Sequence, residues 1–407
     1  MQLLFVHQNF PGQFKHLAAH LAADPANRVV FLTQRKDGSL PGVHKVVYQT
    51  HRQPAPQTHR YLRQLESGVL YGQGAARAAI ALRREGFRPD LIIAHPGWGE
   101  ALYLKQVFPD TPLLSYFEWY YNIADVGFDA EFQSPDTVDS LAALSTRNAL
   151  HLLNLEAADG GITPTRWQWR QHPSAYREQI QIIHDGVDTS DLHPDPAAQL
   201  SFRSGTRLCA NDEVITYVSR NLEPYRGFHQ FMRAAAIIAK RRPKAHFIIV
   251  GGDGVSYGQS LPNGETYRQR MLAELPGLDL SRVHFLGRVP YQHFKTILQV
   301  SSAHIYLTYP FVLSWSMLEA MASGCLVIGS ATPPVQEVIR NGENGLLVDF
   351  FSPLQIAERV DEVFDSPSRL ASVRSAARST ILEHYDLRTQ CLPRQVTLIE
   401  SLAARRV

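Results

Sequence analysis

The sequence predicts an α/β protein built from two doubly wound, Rossmann-like domains in series. Short apolar runs alternate with longer helical patterns along the whole chain. Its 407 residues exceed what one hydrophobic core usually organises. Near the middle, Asp, Gly and Pro cluster in IIHDGVDTSDLHPDP (182–196) and break both periodicities.

In the first half the apolar runs are LLFV (3–6), VVFL (29–32), LIIA (91–94) and LLSYF (113–117). In the second they are VITYVS (214–219), HFIIV (246–250), VHFL (283–286), HIYL (304–307) and LVIG (326–329). Near-continuous apolar runs separated by helical stretches fit parallel strands covered on both faces. The expected domains are 1–195, 196–383 and a terminal helical stretch, 384–407, packing back on the first domain. A cleft between the domains is the default small-molecule site.

Composition narrows the partners. With 44% hydrophobic and 19% charged residues and a net charge of +2, nothing favours nucleic acid or strongly acidic partners. Cys209, Cys325 and Cys391 are scattered and odd in number, which fits neither a disulfide framework nor a zinc site and suggests a reducing compartment. MQLLFVHQNF has no basic flank and reads as a buried strand rather than a signal peptide. No apolar run approaches the roughly 20 residues of a membrane span, so a cytoplasmic protein is expected, with peripheral contact at the inner face of a membrane left open.

Four stretches sit where a strand gives way to a helix. In HQNFPGQFKHLA, Gly12 would let a phosphate or sugar approach backbone N–H groups at a helix expected to begin near Gln13, although a plain turn looks the same. In VSRNLEPYRGFHQF, Arg220 and Arg226 offer two guanidinium forks to one crevice, the alternative being solvated surface. SWSMLEAMASG would present the backbone N–H groups of Ser316, Met317 and Leu318 at a helix start, with Glu319 either holding a ribose diol or complementing the helix dipole. In IIAHPGWGEA, His95 follows a strand, either as a hydroxyl ligand or as a core histidine. The segment 118–139, acidic and without Lys or Arg, is either a surface excursion or an acceptor-site loop.

Taken together, ITPTRWQWRQHP, IIHDGVDTSDLHP, VSRNLEPYRG, IIVGGDG, VHFLGRVPYQHF, LEAMASGCLVIGS and PPVQEVI resemble the retaining glycosyltransferases of family 4, which have the GT-B architecture of two facing Rossmann-like domains with an interdomain cleft. The resemblance runs over nearly the whole length. It implies sugar transfer from a UDP- or GDP-linked donor to an acceptor hydroxyl, metal-independent and without a further cofactor, in glycan, polysaccharide or glycolipid synthesis. No strict Asp-x-Asp metal motif occurs. On this resemblance Gly12 and residues 316–318 cradle the diphosphate, and Arg220 and Arg226 neutralise it. Arg288 and Val289 lie near the base, Glu319 holds the ribose, and His95 contacts the sugar.

The chain departs from the pattern where Phe311 stands in place of the first of two motif glutamates and Ser314 in a turn that is usually glycine-rich. A hydroxyl facing Phe311 would be unpaired at about 1–3 kcal/mol. Three alternatives stand: Glu337 or a backbone group serves instead, the transferred sugar is less polar there, or the chain binds sugar nucleotides without turning them over. A phosphorylase would need a cofactor lysine, yet no lysine follows Lys295. The acceptor is expected to be a glycan or a lipid-linked one, since the arginine-bearing stretch RYLRQLESGVLYGQGAARAAIALRREGF either rests on anionic lipid or is a solvated face.

Overall fold

The computed structural model describes residues 1–122, 126–133, 137–202 and 205–405. The chain forms two compact units, one made of Met1–Val126, Pro135–Gly186 and Arg388–Val407, the other of Gly127–Ser134 and Val187–Leu387.

The first unit holds β1 (Gln2–Val6), β2 (Arg28–Thr33), β3 (Val43–Val47), β4 (Leu91–Ala94), β5 (Leu113–Tyr116), β6 (Gly160–Thr163) and β7 (Ile180–Ile182). They make one parallel sheet in the order β3-β2-β1-β4-β5-β6-β7. The pleat sends alternate side chains to opposite faces. Leu3 and Phe5 join a core shared with helices Lys15–Ala23 and Leu392–Ala403, while Leu4 and Val6 join one shared with Arg63–Arg84 and Leu104–Val107. Cover on both faces is why β1, β4 and β5 read as unbroken apolar runs.

The second unit adds a hairpin, β8 (Gln199–Ser201) with β9 (Arg207–Cys209), before its main sheet. That sheet contains β10 (Val214–Asn221), β11 (His246–Gly252), β12 (Val283–Gly287), β13 (Ala303–Tyr306), β14 (Leu326–Ser330) and β15 (Leu346–Val348). All are parallel, in the order β12-β11-β10-β13-β14-β15. In each sheet the winding direction reverses beside the first strand, at β1/β4 and at β10/β13. The carboxyl ends of such strand pairs are where open α/β sheets bind ligands.

The chain crosses between units at Gly186/Val187, earlier than the expected 195/196. Val187 is already tied into the second unit: its N–H donates to the Tyr385 carbonyl at 2.8 Å and its carbonyl accepts from Leu387 N–H at 2.8 Å. The return crossing lies at Leu387/Arg388, after helix Pro367–His384, rather than at 383/384. Beyond it Leu402 packs over Gly160, and Gln395 donates to the His184 carbonyl at 3.0 Å. Among the described residues no helix is long and apolar enough to cross a membrane. Arg63 and Arg83 of the first unit's long helix donate to the carbonyls of Thr58, Pro56 and Val107.

Candidate active site

Three neighbouring strands of the first unit each deliver a polar side chain at their outlet: His7 after β1, His95 after β4 and Glu118 beyond β5. His7 is fully buried. Its Nδ1 accepts from the Asn9 N–H at 2.9 Å, so Nε2 carries the proton and lies 2.6 Å from Gln13 Oε1. Gln13 then donates through Nε2 to Glu118 Oε1 at 3.0 Å. His95 Nδ1 accepts from the Gly97 N–H at 3.2 Å, which aims Nε2–H at Glu118 Oε2, 3.5 Å away. The His95 ring stacks on Trp98 at 4.6 Å and on Tyr116 at 5.6 Å, and its centroid lies 4.8 Å from that of His7.

Burial, helped by the nearby His95, pushes His7 down to about 3 and keeps it neutral. Burial alone would raise Glu118, but hydrogen bonding to His95, the two imidazoles and Gln13 outweigh it and hold the carboxyl below its ordinary value. Glu100, fully buried beside this group, is raised by burial to about 6 although the Tyr48 hydroxyl donates to it. The result is an ionised carboxylate braced by amide and imidazole, an acceptor for ligand hydroxyls.

Gly12 packs against this group. It has φ +56°, and a Cβ there would come within 2.4 Å of His7 Nε2, so the imidazole itself demands glycine. The α-helix starts at Lys15, later than Gln13, because Gly12–Phe14 is a 3₁₀ turn.

In the second unit Arg220 lies at the end of β10, where pairing with β11 shifts register. It is exposed and makes no hydrogen bond or ion pair among the described residues. Arg226, expected to be a second free fork, is 7% exposed. Its Nη1 donates to Tyr306 Oη at 3.2 Å, Thr308 Oγ1 at 2.8 Å and the Val312 carbonyl at 3.0 Å, and its guanidinium lies 5.4 Å from the Tyr257 ring centre. The arginine thus ties the end of β13 to the loop that follows it, and the Tyr306 hydroxyl accepts from the Ser314 N–H at 2.8 Å as well.

Glu223, which carries no motif signal, is 1% exposed and accepts from the N–H groups of Ser256, Tyr257 and Gly258 at 3.1, 3.0 and 2.9 Å. It thereby holds Tyr257 edge-on to Phe311, ring centres 5.0 Å apart, while Tyr225 meets Phe311 edge-on at 5.6 Å. Phe311 is 9% exposed, so it forms an aromatic wall rather than an open apolar face.

Ser314 caps helix Trp315–Ala322. Its Oγ accepts from Ser316 N–H and its carbonyl from Met317 N–H, both at 3.4 Å, so the N–H groups expected to be free at Ser316 and Met317 are loosely partnered. The side chains of Ser316, Met317 and Leu318 are buried. Glu319, half-buried, accepts from Tyr291 Oη at 3.3 Å. Arg288 is exposed and donates to Asn221 Oδ1 at 3.2 Å, and Val289 is half-buried against the apolar core. Glu337 lines a depression of about 470 Å³ with Arg340, Asn344 and Glu383, a lining that includes none of these residues. Residues 123–125 and 134–136 of the acidic segment lie outside the described residues.

Two Rossmann-like units with polar groups gathered at their switch points define a GT-B class protein. The comparisons agree. Residues 25–192 match the glycosyl transferase family 4 group and residues 202–380 match the glycosyl transferases group 1. The chain belongs to the family 4 glycosyltransferases.

Among relatives, the D-inositol 3-phosphate glycosyltransferase of Acidothermus cellulolyticus is 27% identical over 237 residues, covering 56% of this chain and 51% of that protein. The enzyme of the same name from Corynebacterium aurimucosum is 26% identical over 246 residues, 59% of this chain and 57% of that one. The chain thus spans little more than half the length of these relatives. HepE of Anabaena, whose crystal structure holds UDP-glucose, superposes with a TM-score of 0.70 at 17% identity over 98% of this chain and 100% of its own. Sucrose-phosphate synthase of Thermosynechococcus elongatus gives 0.72 at 16% identity over 99% of each chain.

Proposed function

We propose that the protein is a retaining glycosyltransferase that moves a sugar from a nucleoside diphosphate, uridine before guanosine, to an acceptor hydroxyl. The second unit binds the donor and the first unit the acceptor. The observation that carries this reading is the free guanidinium of Arg220 at the β10 outlet, in a unit where Arg226 braces the loop after β13 from within. The bond from the sugar's anomeric carbon to the diphosphate oxygen breaks, its electron pair stays on the phosphate, and Arg220 meets the growing charge. The acceptor oxygen bonds to the same face of that carbon, and its proton passes to the departing phosphate. Arginine charge takes the place of a metal in this scheme. The preference for uridine is supported by the UDP-glucose in the HepE structure, and the acceptor is a hydroxyl of a glycan or lipid-linked polyol.

The test is isothermal titration of UDP, GDP, ADP, dTDP and CMP, then the matching sugar nucleotides, against wild type and Arg220→Ala. One nucleotide should bind wild type and weaken about tenfold or more in the variant, as for a lost charged contact of about 1.5–3 kcal/mol. Binding of none of them overturns the reading.

A further inference from the structure

The stretch from Gly127 to Gln133 lies in the first half of the sequence yet packs within the second unit. Phe128 meets Tyr309 at 5.1 Å and Phe350 at 5.3 Å between ring centres, and Phe132 meets His229 at 4.8 Å and Tyr267 at 5.6 Å. Glu131 takes both terminal nitrogens of Arg233, at 2.7 and 2.8 Å. Between the two phenylalanines sits Asp129, 2% exposed. Its Oδ2 accepts from Tyr309 Oη at 2.6 Å and lies 3.2 Å from His229 Nε2, while Oδ1 accepts from Glu131 N–H at 3.0 Å.

Two phenylalanines would suffice for an apolar anchor. A carboxylate buried between them is costly unless its partners are fixed in place, so it dictates where those partners stand. Tyr309 is the partner that matters, because it touches both loops of the donor half. Its N–H donates to the Tyr225 carbonyl at 3.0 Å, and its ring lies 4.6 Å from the Tyr225 ring, directly before Arg226. Its carbonyl accepts from Phe311 N–H at 2.7 Å. Fixing the Tyr309 hydroxyl therefore fixes the register of Tyr225, Arg226 and Phe311 together.

We propose that Asp129 is a positioning residue for donor binding: through the Tyr309 hydroxyl it holds the Pro224–Arg226 turn and the 309–314 loop in the arrangement that receives the nucleotide. This rests on the donor reading of the second unit given above.

The experiment titrates whichever nucleotide of the same panel binds wild type into Asp129→Asn, Tyr309→Phe and Glu131→Gln of the full chain, with the circular dichroism melt of each recorded. Tyr309→Phe keeps the ring and its packing, so it stands in if Asp129→Asn does not fold. The expected result is a dissociation constant raised about fivefold or more by Asp129→Asn and by Tyr309→Phe, in line with one charge-assisted hydrogen bond. Glu131→Gln should leave it unchanged, since Arg233 keeps Glu274 as a partner. Wild-type binding with equal affinity in Tyr309→Phe overturns the positioning role and leaves the donor reading standing. Absence of nucleotide binding in wild type removes the donor reading and this role with it. A loss of affinity in Glu131→Gln equal to that in Tyr309→Phe also overturns the proposal, because the whole segment rather than the Asp129 contact would then be responsible.

Discussion

Glu223→Gln tests how the donor half is assembled. In wild type the Ser256 N–H donates to one carboxylate oxygen at 3.1 Å, and those of Tyr257 and Gly258 to the other at 3.0 and 2.9 Å. Glutamine retains one carbonyl oxygen, which can serve two of these donors, and turns its NH₂ towards the third. One half-buried N–H then goes unpaired at about 1–2 kcal/mol, and two charge-assisted bonds become neutral ones at about 0.5–1 kcal/mol each. The sum is about 3 kcal/mol, and at 1.4 kcal/mol per tenfold, amide exchange across residues 256–258 should rise about 100-fold. Hydrogen–deuterium exchange read by mass spectrometry on a peptide spanning this loop measures it, with helix Phe228–Arg241 as the internal reference. Nucleotide affinity should fall with it, because Tyr257 would leave its edge-on place against Phe311. Exchange within about threefold of wild type, or acceleration spread equally over the reference helix, would refute the argument.

Other expectations follow from single contacts. Gly12→Ala should lower the melting temperature by about 4–8 °C, from about 2 kcal/mol of left-handed backbone strain and displacement of the His7 ring. Arg220→Ala should leave the unfolding free energy from urea titration within about 0.5 kcal/mol of wild type, since an exposed unpaired side chain supports nothing in the fold. Phe311→Glu should destabilise by about 2–4 kcal/mol and give no gain in donor turnover, because it removes a nearly buried ring and its two edge-on partners. Acid should weaken the first unit: burial holds His7 and His151 at about 3 and His172 and His184 at about 4. Their folded values are depressed, so stability is complete above about pH 6.5 and declines as the unfolded chain alone takes up protons, by about 1.4 kcal/mol per pH unit for each histidine. Glu100, raised to about 6, acts in the opposite sense and offsets one histidine between its folded value and its ordinary one. Urea midpoints recorded in steps from about pH 7 to about pH 4 should therefore fall more steeply in the lower part of the range, and His7→Gln should flatten the curve.

The strand outlets were legible in the sequence because both sheets are buried on both faces, which leaves uninterrupted apolar runs at β1, β4, β5, β10 and β11. His95 and Arg220 could be placed at outlets for that reason alone. β3, with VHKVV, is only half-buried, and β6, with GGIT, offers one large apolar side chain, so neither stood out. The second glycine of β6 is set by a packing need that no local pattern shows: a Cβ on Gly161 would meet the Phe117 ring at 2.7 Å. Glu223 and Asp129 were invisible for a related reason. Their partners are backbone amides around residue 257 and a tyrosine at 309, so only the tertiary fold reveals that these carboxylates face inward.

Phe311 belongs to the same pattern. Where the resemblance leads one to expect a carboxylate facing the ligand, the chain presents an aromatic wall and keeps Glu223 and Asp129 behind it, bound to the atoms that hold the wall upright. A carboxylate placed there instead would compete for those fixed donors or lose solvation. Glu118 in the first unit differs from both, because its side chain is 36% exposed and, among the described residues, its oxygens meet Gln13 and, at longer range, His95. Of these carboxylates it is the most exposed, so replacing it should cost less stability than replacing Glu223, and, on the proposed function, should act on ligand recognition instead.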